Sequence, residues 1–178
     1  MRALFDQRTL KDEAAARQVL GIESQMDSVQ VDGRTVRLSA LPIGIQSEEW
    51  RELTRVDKKV ARRRAQLNDR HHGRKLIISV DRLDYTKGIP ERLRTFRRLL
   101  RTSPAWRGKV TLVQIAVPSR ERVPAYAELR SEVSELVGEV NGDFGTPEWQ
   151  PVVYLRRAVD KKELAALYSA ADVAWVGP

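Results

Sequence analysis

From residue 75 onward the chain alternates apolar runs of strand length with segments of helical periodicity. Leu76-Ile77-Ile78-Ser79-Val80 and Val110–Val117 (VTLVQIAV) are nearly continuous apolar runs, and Val152-Val153-Tyr154-Leu155 and Asp172–Val176 are shorter ones. Between them, Leu93, Phe96, Leu99 and Leu100 mark one helical face. Tyr126, Leu129, Val133, Leu136 and Val137 mark a second, and Leu164, Leu167 and Tyr168 a third, behind a capping box of Asp160 and Glu163. Pro90 suits a first helical turn, where its missing N–H costs nothing. Asn141-Gly142 through Pro147 predicts a turn-rich loop. The order is β-α-β-α-β-α-β. Strands apolar on both faces, separated by amphipathic helices, predict an α/β fold with a parallel sheet covered on both sides. Right-handed crossovers make it doubly wound.

Residues 1–74 read differently, being heavily charged with only short apolar runs. Asp12–Leu20 predicts a helix. Val29, Val31, Val36 and Leu38 flank Asp32-Gly33 and predict a hairpin over Val29–Leu41. Leu41-Pro42-Ile43-Gly44-Ile45 is a stiff extended segment. Ser47, followed by Glu48 and Glu49, opens a helix expected to run to about Asn68. Asn68–Gly73 is a polar break, so the domain boundary is expected at 74/75.

The chain has 178 residues, 42% apolar and 31% charged, which suits a packed core and excludes a wholly disordered chain. No apolar run approaches the roughly 20 residues that span a bilayer, and the N-terminus shows no secretory h-region. Without cysteine there is no disulfide, zinc-thiolate site or thiol nucleophile. His71 and His72, the only histidines, sit in a basic stretch and predict a surface loop, with no metal site. A soluble, cytoplasmic protein is expected. The net charge of +8 raises the question of nucleic acid. Arg51, Arg55, Lys58 and Arg62 share one helical face, but Glu48, Glu49, Glu52 and Asp57 intersperse them, as in Glu48–Arg51 and Glu52–Arg55 pairs. No aromatic platform accompanies them, so a solvated face is favoured over an RNA-binding one.

Val80-Asp81-Arg82-Leu83-Asp84-Tyr85-Thr86-Lys87-Gly88-Ile89-Pro90 carries the most chemistry. It joins a buried strand to a helix N-terminus, where free N–H groups favour anions. Arg82 and Lys87 add cations, and Gly88 lets the backbone turn or approach a ligand. A phosphate or diphosphate site follows, Arg offering a planar fork and Lys a point charge. The segment is neither GxxxxGK[ST] nor GxGxxG. Equally open is an ordinary charged loop in which Asp81 and Asp84 neutralise Arg82 and Lys87. Arg120 follows the second strand on the same sheet edge and is either a third cation for a second phosphate or a surface partner of Glu121. No catalytic triad can be assembled. Trp149 and Trp175 read as packing residues rather than sugar platforms.

These residues resemble a known family. VDRLDYTKGIPERL (80–93) is similar to the signature loop of the trehalose-6-phosphate synthases, retaining glucosyltransferases of the GT-B fold. LPIGIQSEEW (41–50), VQIAVPSRERVPAY (113–126), NGDFGTPEWQPVVYL (141–155) and ADVAWVGP (171–178) extend the resemblance. It implies that 1–74 is the rear of an N-terminal, acceptor-side domain with its junction, and 75–178 the first half of a nucleotide-sugar-binding domain. It implies that Arg82 and Lys87 bind the donor diphosphate of UDP-glucose in place of a metal ion. Arg120 would contact the phosphate of the acceptor, glucose 6-phosphate. The backbone at Val159 falls where the family holds the uracil, although the family commonly has an aromatic there. No further cofactor is implied, and a homo-oligomer of the full-length protein stays open. The family's glycine-rich loop and HIPFP histidine are expected before Met1, and the acids of its DGMNLVAKEY motif after Pro178. An incomplete GT-B fold without a complete catalytic set, inactive by itself, is therefore expected. The alternatives are a glucosylglycerol-phosphate synthase segment and a non-catalytic module that binds phosphates or nucleotide sugars.

Overall fold

The computed structural model describes residues 24–25, 28–31, 33–37, 44–119 and 123–177. The chain divides into two compact units, Met1–Gln46 and Ser47–Pro178. In the first, strands β1 (Ser24–Gln25), β2 (Ser28–Val31) and β3 (Arg34–Arg37) form an antiparallel sheet in that order. Val31 lies opposite Arg34, and Gly33 takes φ 73°, the left-handed conformation that a tight hairpin turn requires. The helix expected over Asp12–Leu20 and the segment 41–43 lie outside the described residues.

The second unit begins with helices α1 (Ser47–Val56) and α2 (Lys58–Arg70). The sequence predicts one helix here; the structure breaks it at Asp57. That residue takes φ −76° and ψ 114°, and its Oδ1 accepts from the N–H groups of Lys59 at 2.8 Å and Val60 at 3.1 Å. An aspartate in this role starts a new helix. Its other oxygen accepts from Lys162 at 2.6 Å, and that bond, with the backbone donors, holds the carboxyl below its ordinary range.

Strand β4 (Lys75–Arg82) leads through a 3₁₀ turn at Tyr85–Lys87 into α3 (Ile89–Thr102). There follow β5 (Val110–Val117), α4 (Pro124–Phe144), β6 (Val152–Leu155), α5 (Lys161–Ala170) and β7 (Val173–Ala174). The sheet order is β6-β5-β4-β7, and every pairing is parallel. Of the loop expected over Asn141-Gly142 through Pro147, residues 141–144 are instead the last turn of α4, where Asn141 bonds strand β6, and the turn begins at Gly145. Asp160 caps α5 as expected, accepting from Lys162 N–H at 2.9 Å and Glu163 N–H at 3.0 Å.

Side chains on successive strand residues leave by opposite faces. On one face, Val110, Leu112, Ala116 and Val152 meet Ile89, Leu93, Phe96 and Leu100 of α3 and Leu129, Val133, Leu136 and Val140 of α4. On the other, Leu76, Ile78, Val113 and Ile115 meet Val60 and Leu67 of α2 and Ala165, Ala166 and Leu167 of α5. Arg63 reinforces that second layer with three hydrogen bonds to Glu163 at 2.9 to 3.0 Å. Residues 47–70 therefore pack with the sheet, and the compact units divide after Gln46 rather than after Arg74.

Candidate functional site

In a parallel sheet all carboxyl ends share one edge. Here β4 is followed outward by β5 and then β6, whereas β7 returns to the other side of β4. The order reverses at β4, and the crevice beside such a strand is where open α/β sheets bind ligands.

The segment carrying Arg82 and Lys87 sits at that point. Arg82 is the exposed last residue of β4, and Lys87 is the half-buried end of the 3₁₀ turn. Asp84 builds the turn. Its Oδ1 accepts from Thr86 N–H at 3.0 Å and from the Thr86 hydroxyl at 2.8 Å, and its Oδ2 accepts from the Tyr126 hydroxyl at 3.0 Å. The Thr86 donors chiefly, then Tyr126 and the charge of Arg82, hold this carboxyl at about 2. Gly88 takes φ 58° and ψ 33°, turning the chain sharply into α3.

Asp81 has a different partner. Arg92, 3% exposed, donates from Nη1 to Asp81 Oδ2 at 2.8 Å and to Gln114 Oε1 at 3.0 Å. Asp81 is thus paired with Arg92, whereas Asp84, bonded to the uncharged donors of Thr86 and Tyr126, keeps its negative charge within reach of Arg82.

Arg120 lies outside the described residues; β5 ends at Val117 on the shared edge. Val159 follows β6 on that edge too, half-buried against the cluster of α2 and α5. Its strand is two places from β4, roughly 10 Å away at ordinary strand spacing. Trp149 is a packing residue, its indole bonded to Val110 O and Thr111 Oγ1, each at 3.1 Å. His72 is exposed, but His71 is half-buried at the end of α2; burial first, then Arg70 and Arg74, lower its pKa. Among the described residues no group of His, Cys, Asp and Glu could hold a metal ion. Among them, too, no helix is long and apolar enough to cross a membrane.

The sequence left Arg92 and Gln114 unassigned, although both carry a signal. Gln114 is the one amide inside VTLVQIAV, and Arg92 falls on the same helical stripe as Ile89, Leu93 and Phe96.

The family model for glycosyltransferase family 20 matches residues 13–178. The chain belongs to glycosyltransferase family 20. Among curated family relatives, the alpha,alpha-trehalose-phosphate synthase [UDP-forming] 2 of Aspergillus fumigatus is 45% identical over 86% of this chain and 32% of its own length. A Burkholderia xenovorans alpha,alpha-trehalose-phosphate synthase solved with glucose-6-phosphate superposes with a TM-score of 0.78 at 40% identity, covering 85% of this chain and 33% of that one. The N-terminal domain of a Candida albicans trehalose-6-phosphate phosphatase gives 0.83 at 31% identity over 92% of this chain and 35% of that one. The family chain described here thus spans about a third of the length of the curated relatives it matches.

Proposed function

We propose that this segment forms the donor-diphosphate wall of an alpha,alpha-trehalose-phosphate synthase, with Arg82 and Lys87 holding the diphosphate of UDP-glucose. The carrying observation is the placement of both cations at the carboxyl end of the strand where the sheet order reverses, beside the N-terminus of α3. In the reaction, the bond between glucose C1 and the β-phosphate oxygen breaks, and C1 bonds to the anomeric oxygen of glucose 6-phosphate. The hydroxyl proton leaves with the phosphate oxygen on the same face, and UDP departs. Negative charge grows on that β-phosphate, so fixed cations stabilise the transition state more than the ground state. Arg120 anchors the acceptor phosphate and aligns its hydroxyl. The backbone at Val159 lies beside the uracil.

On this basis 75–178 is the first half of the nucleotide-sugar-binding domain and 1–74 the acceptor-side part and junction, helices α1 and α2 packing with the former. Substrates of this kind place the protein in the cytoplasm. The similarity to a phosphatase N-terminal domain favours a second reading, a module that keeps the fold and binds phosphates without transfer.

Calorimetric titration with UDP and with uridine separates the contributions. Arg82→Ala and Lys87→Ala are expected to weaken UDP at least ~10-fold, about 1.4 kcal/mol, and to leave uridine unchanged. Unaltered UDP affinity in both variants removes the assignment. UDP release that depends on glucose 6-phosphate, measured on the protein that carries this segment, distinguishes the synthase from the binding module.

A further inference from the structure

We propose that Arg92 is a positioning residue that fixes the Arg82–Lys87 loop in its diphosphate-binding conformation, with Gly177 as its required neighbour. The inference rests on the diphosphate assignment above.

Arg92 lies one turn inside α3, on the stripe that otherwise carries Ile89, Leu93 and Phe96. A guanidinium in such a place is costly unless its donors find acceptors. The acceptors come from separate parts of the carboxyl edge. Nη1 reaches Asp81 Oδ2 at 2.8 Å on β4 and Gln114 Oε1 at 3.0 Å on β5. Nη2 reaches the carbonyl of Lys87 at 3.4 Å. The main-chain N–H of the same residue donates to Gly88 O at 3.0 Å. The side chain of Arg92 thus holds the Lys87 carbonyl, while its N–H to Gly88 O is the ordinary first-turn bond of α3. Its guanidinium carbon also lies 6.0 Å from the centroid of the Trp175 ring, just beyond β7.

Gly177 closes the arrangement from the β7 side. A Cβ at this position would lie 2.5 Å from Arg92 Nη2 and 2.9 Å from Lys87 O. The backbone after β7 thus passes directly over the junction of Arg92 with the loop, and only a glycine leaves room. Segments following β4 and β7 thus meet at one guanidinium.

Packing alone does not account for an arginine here. Apolar groups of matching volume commonly do as well or better than a buried ion pair, whereas a fork of donors specifies geometry. Arg92 Nε is buried without a partner, so the side chain is oriented by the loop and strand acceptors at some cost to its own satisfaction. Arg92 touches no substrate in this scheme and acts through the position of Lys87.

The test compares UDP with uridine binding by calorimetry in the full chain, using the affinity ratio of the two as the measure of the diphosphate contribution. Thermal unfolding is followed in parallel. The variants are Arg92→Lys, which keeps the charge but cannot span Asp81, Gln114 and Lys87 O together, Gly177→Ala, and Lys87→Ala. The expected result is a ratio reduced at least 10-fold in Arg92→Lys and Gly177→Ala, with uridine affinity unchanged. Should Arg92→Lys fail to fold, Gly177→Ala decides, because it lies outside the core. Lowered melting temperature with an unchanged ratio in the folded variants would mean a merely structural role and overturn the inference. If Lys87→Ala collapses the ratio while the other two preserve it, the diphosphate site stands and the positioning role falls. If Lys87→Ala itself leaves the ratio unchanged, or the wild type binds UDP no better than uridine, the diphosphate assignment fails and the inference falls with it.

Discussion

Replacing Asn141 with alanine tests how the outer strand of the sheet is held. Strand β6 pairs with β5 on one side only. Leu112 N–H bonds to Pro151 O at 2.8 Å, so the N–H and C=O of Val152 point away from β5. Asn141, in the last turn of α4, takes the place of the missing strand. Its Nδ2 donates to Val152 O at 2.9 Å, and its Oδ1 accepts from Val152 N–H at 2.8 Å. Val152 is 0% exposed, so its peptide groups have little access to water once the carboxamide is gone.

Two neutral hydrogen bonds are worth ~1 kcal/mol each in net terms, and stranded buried groups add to that, so Asn141→Ala is expected to cost about 2–3 kcal/mol. For a chain of this size the melting temperature falls by roughly 5–10 °C. Urea unfolding followed by circular dichroism should show a lower midpoint at unchanged m-value. Asn141→Leu, similar in volume, should lose as much as the alanine variant. Asn141→Asp should lose at least as much, because an oxygen then faces Val152 O. An Asn141→Ala midpoint corresponding to less than about 0.5 kcal/mol would show that water or a shifted backbone satisfies Val152, and the strand-mimic account would fail.

Phe96, fully buried between α3 and the sheet, should cost about 3–5 kcal/mol on replacement by alanine, read from the same urea curves; a loss below about 1 kcal/mol would contradict its place in the core. Asp84 titrates at about 2 in the folded chain, against ~3.9 when unfolded. A depressed carboxyl contributes fully above its unfolded value and loses that contribution as pH falls toward about 2, so Asp84→Asn should flatten the acid limb of the urea midpoint against pH. An unchanged limb would show that its bonds to Thr86 and Tyr126 do not persist in solution. Gly145→Ala should lower the melting temperature, because its Cβ would lie 2.4 Å from the Asn141 carbonyl oxygen; φ there is −65°, so space and not backbone conformation is the obstacle.

The sheet was legible because its strands are covered on both faces, which forces continuous apolar runs such as LIISV and VTLVQIAV. The helices were legible from the spacing of Leu93, Phe96 and Leu100, and the hairpin from Gly33. The break at Asp57 was not, since it depends on a carboxylate shared between backbone donors and Lys162, which lies far along the chain. Nor was the continuation of α4 through Gly142, because the glycine is a turn signal locally and the compensating bond from Asn141 to Val152 is tertiary. The boundary at 74/75 followed a change of composition, whereas the compact division follows burial of Val60 and Leu67 on the sheet. At the candidate site, Arg82 and Lys87 stood out by charge beside a strand end. Arg92 did not, since its position in the helical period was that of a core residue.

The buried polar side chains show why that position matters. Among the described residues they are Ser79, Asp84, Arg92, Thr111 and Gln114. Thr111 serves the Trp149 indole near the amino end of β5, and the others gather toward the carboxyl edge of β4 and β5. Strand β4 is apolar through Leu76–Ile78 and then carries Ser79, Asp81 and Arg82 around Val80, and Ser79 Oγ donates to the same Asp81 oxygen that Arg92 holds. Buried polar networks constrain geometry more tightly than apolar contacts, which tolerate repacking. A sheet that needed only to be stable would have continued its apolar pattern to the end of the strand. Directional bonds there instead spend stability at the edge that carries Arg82 and Lys87, as the proposed diphosphate site would require.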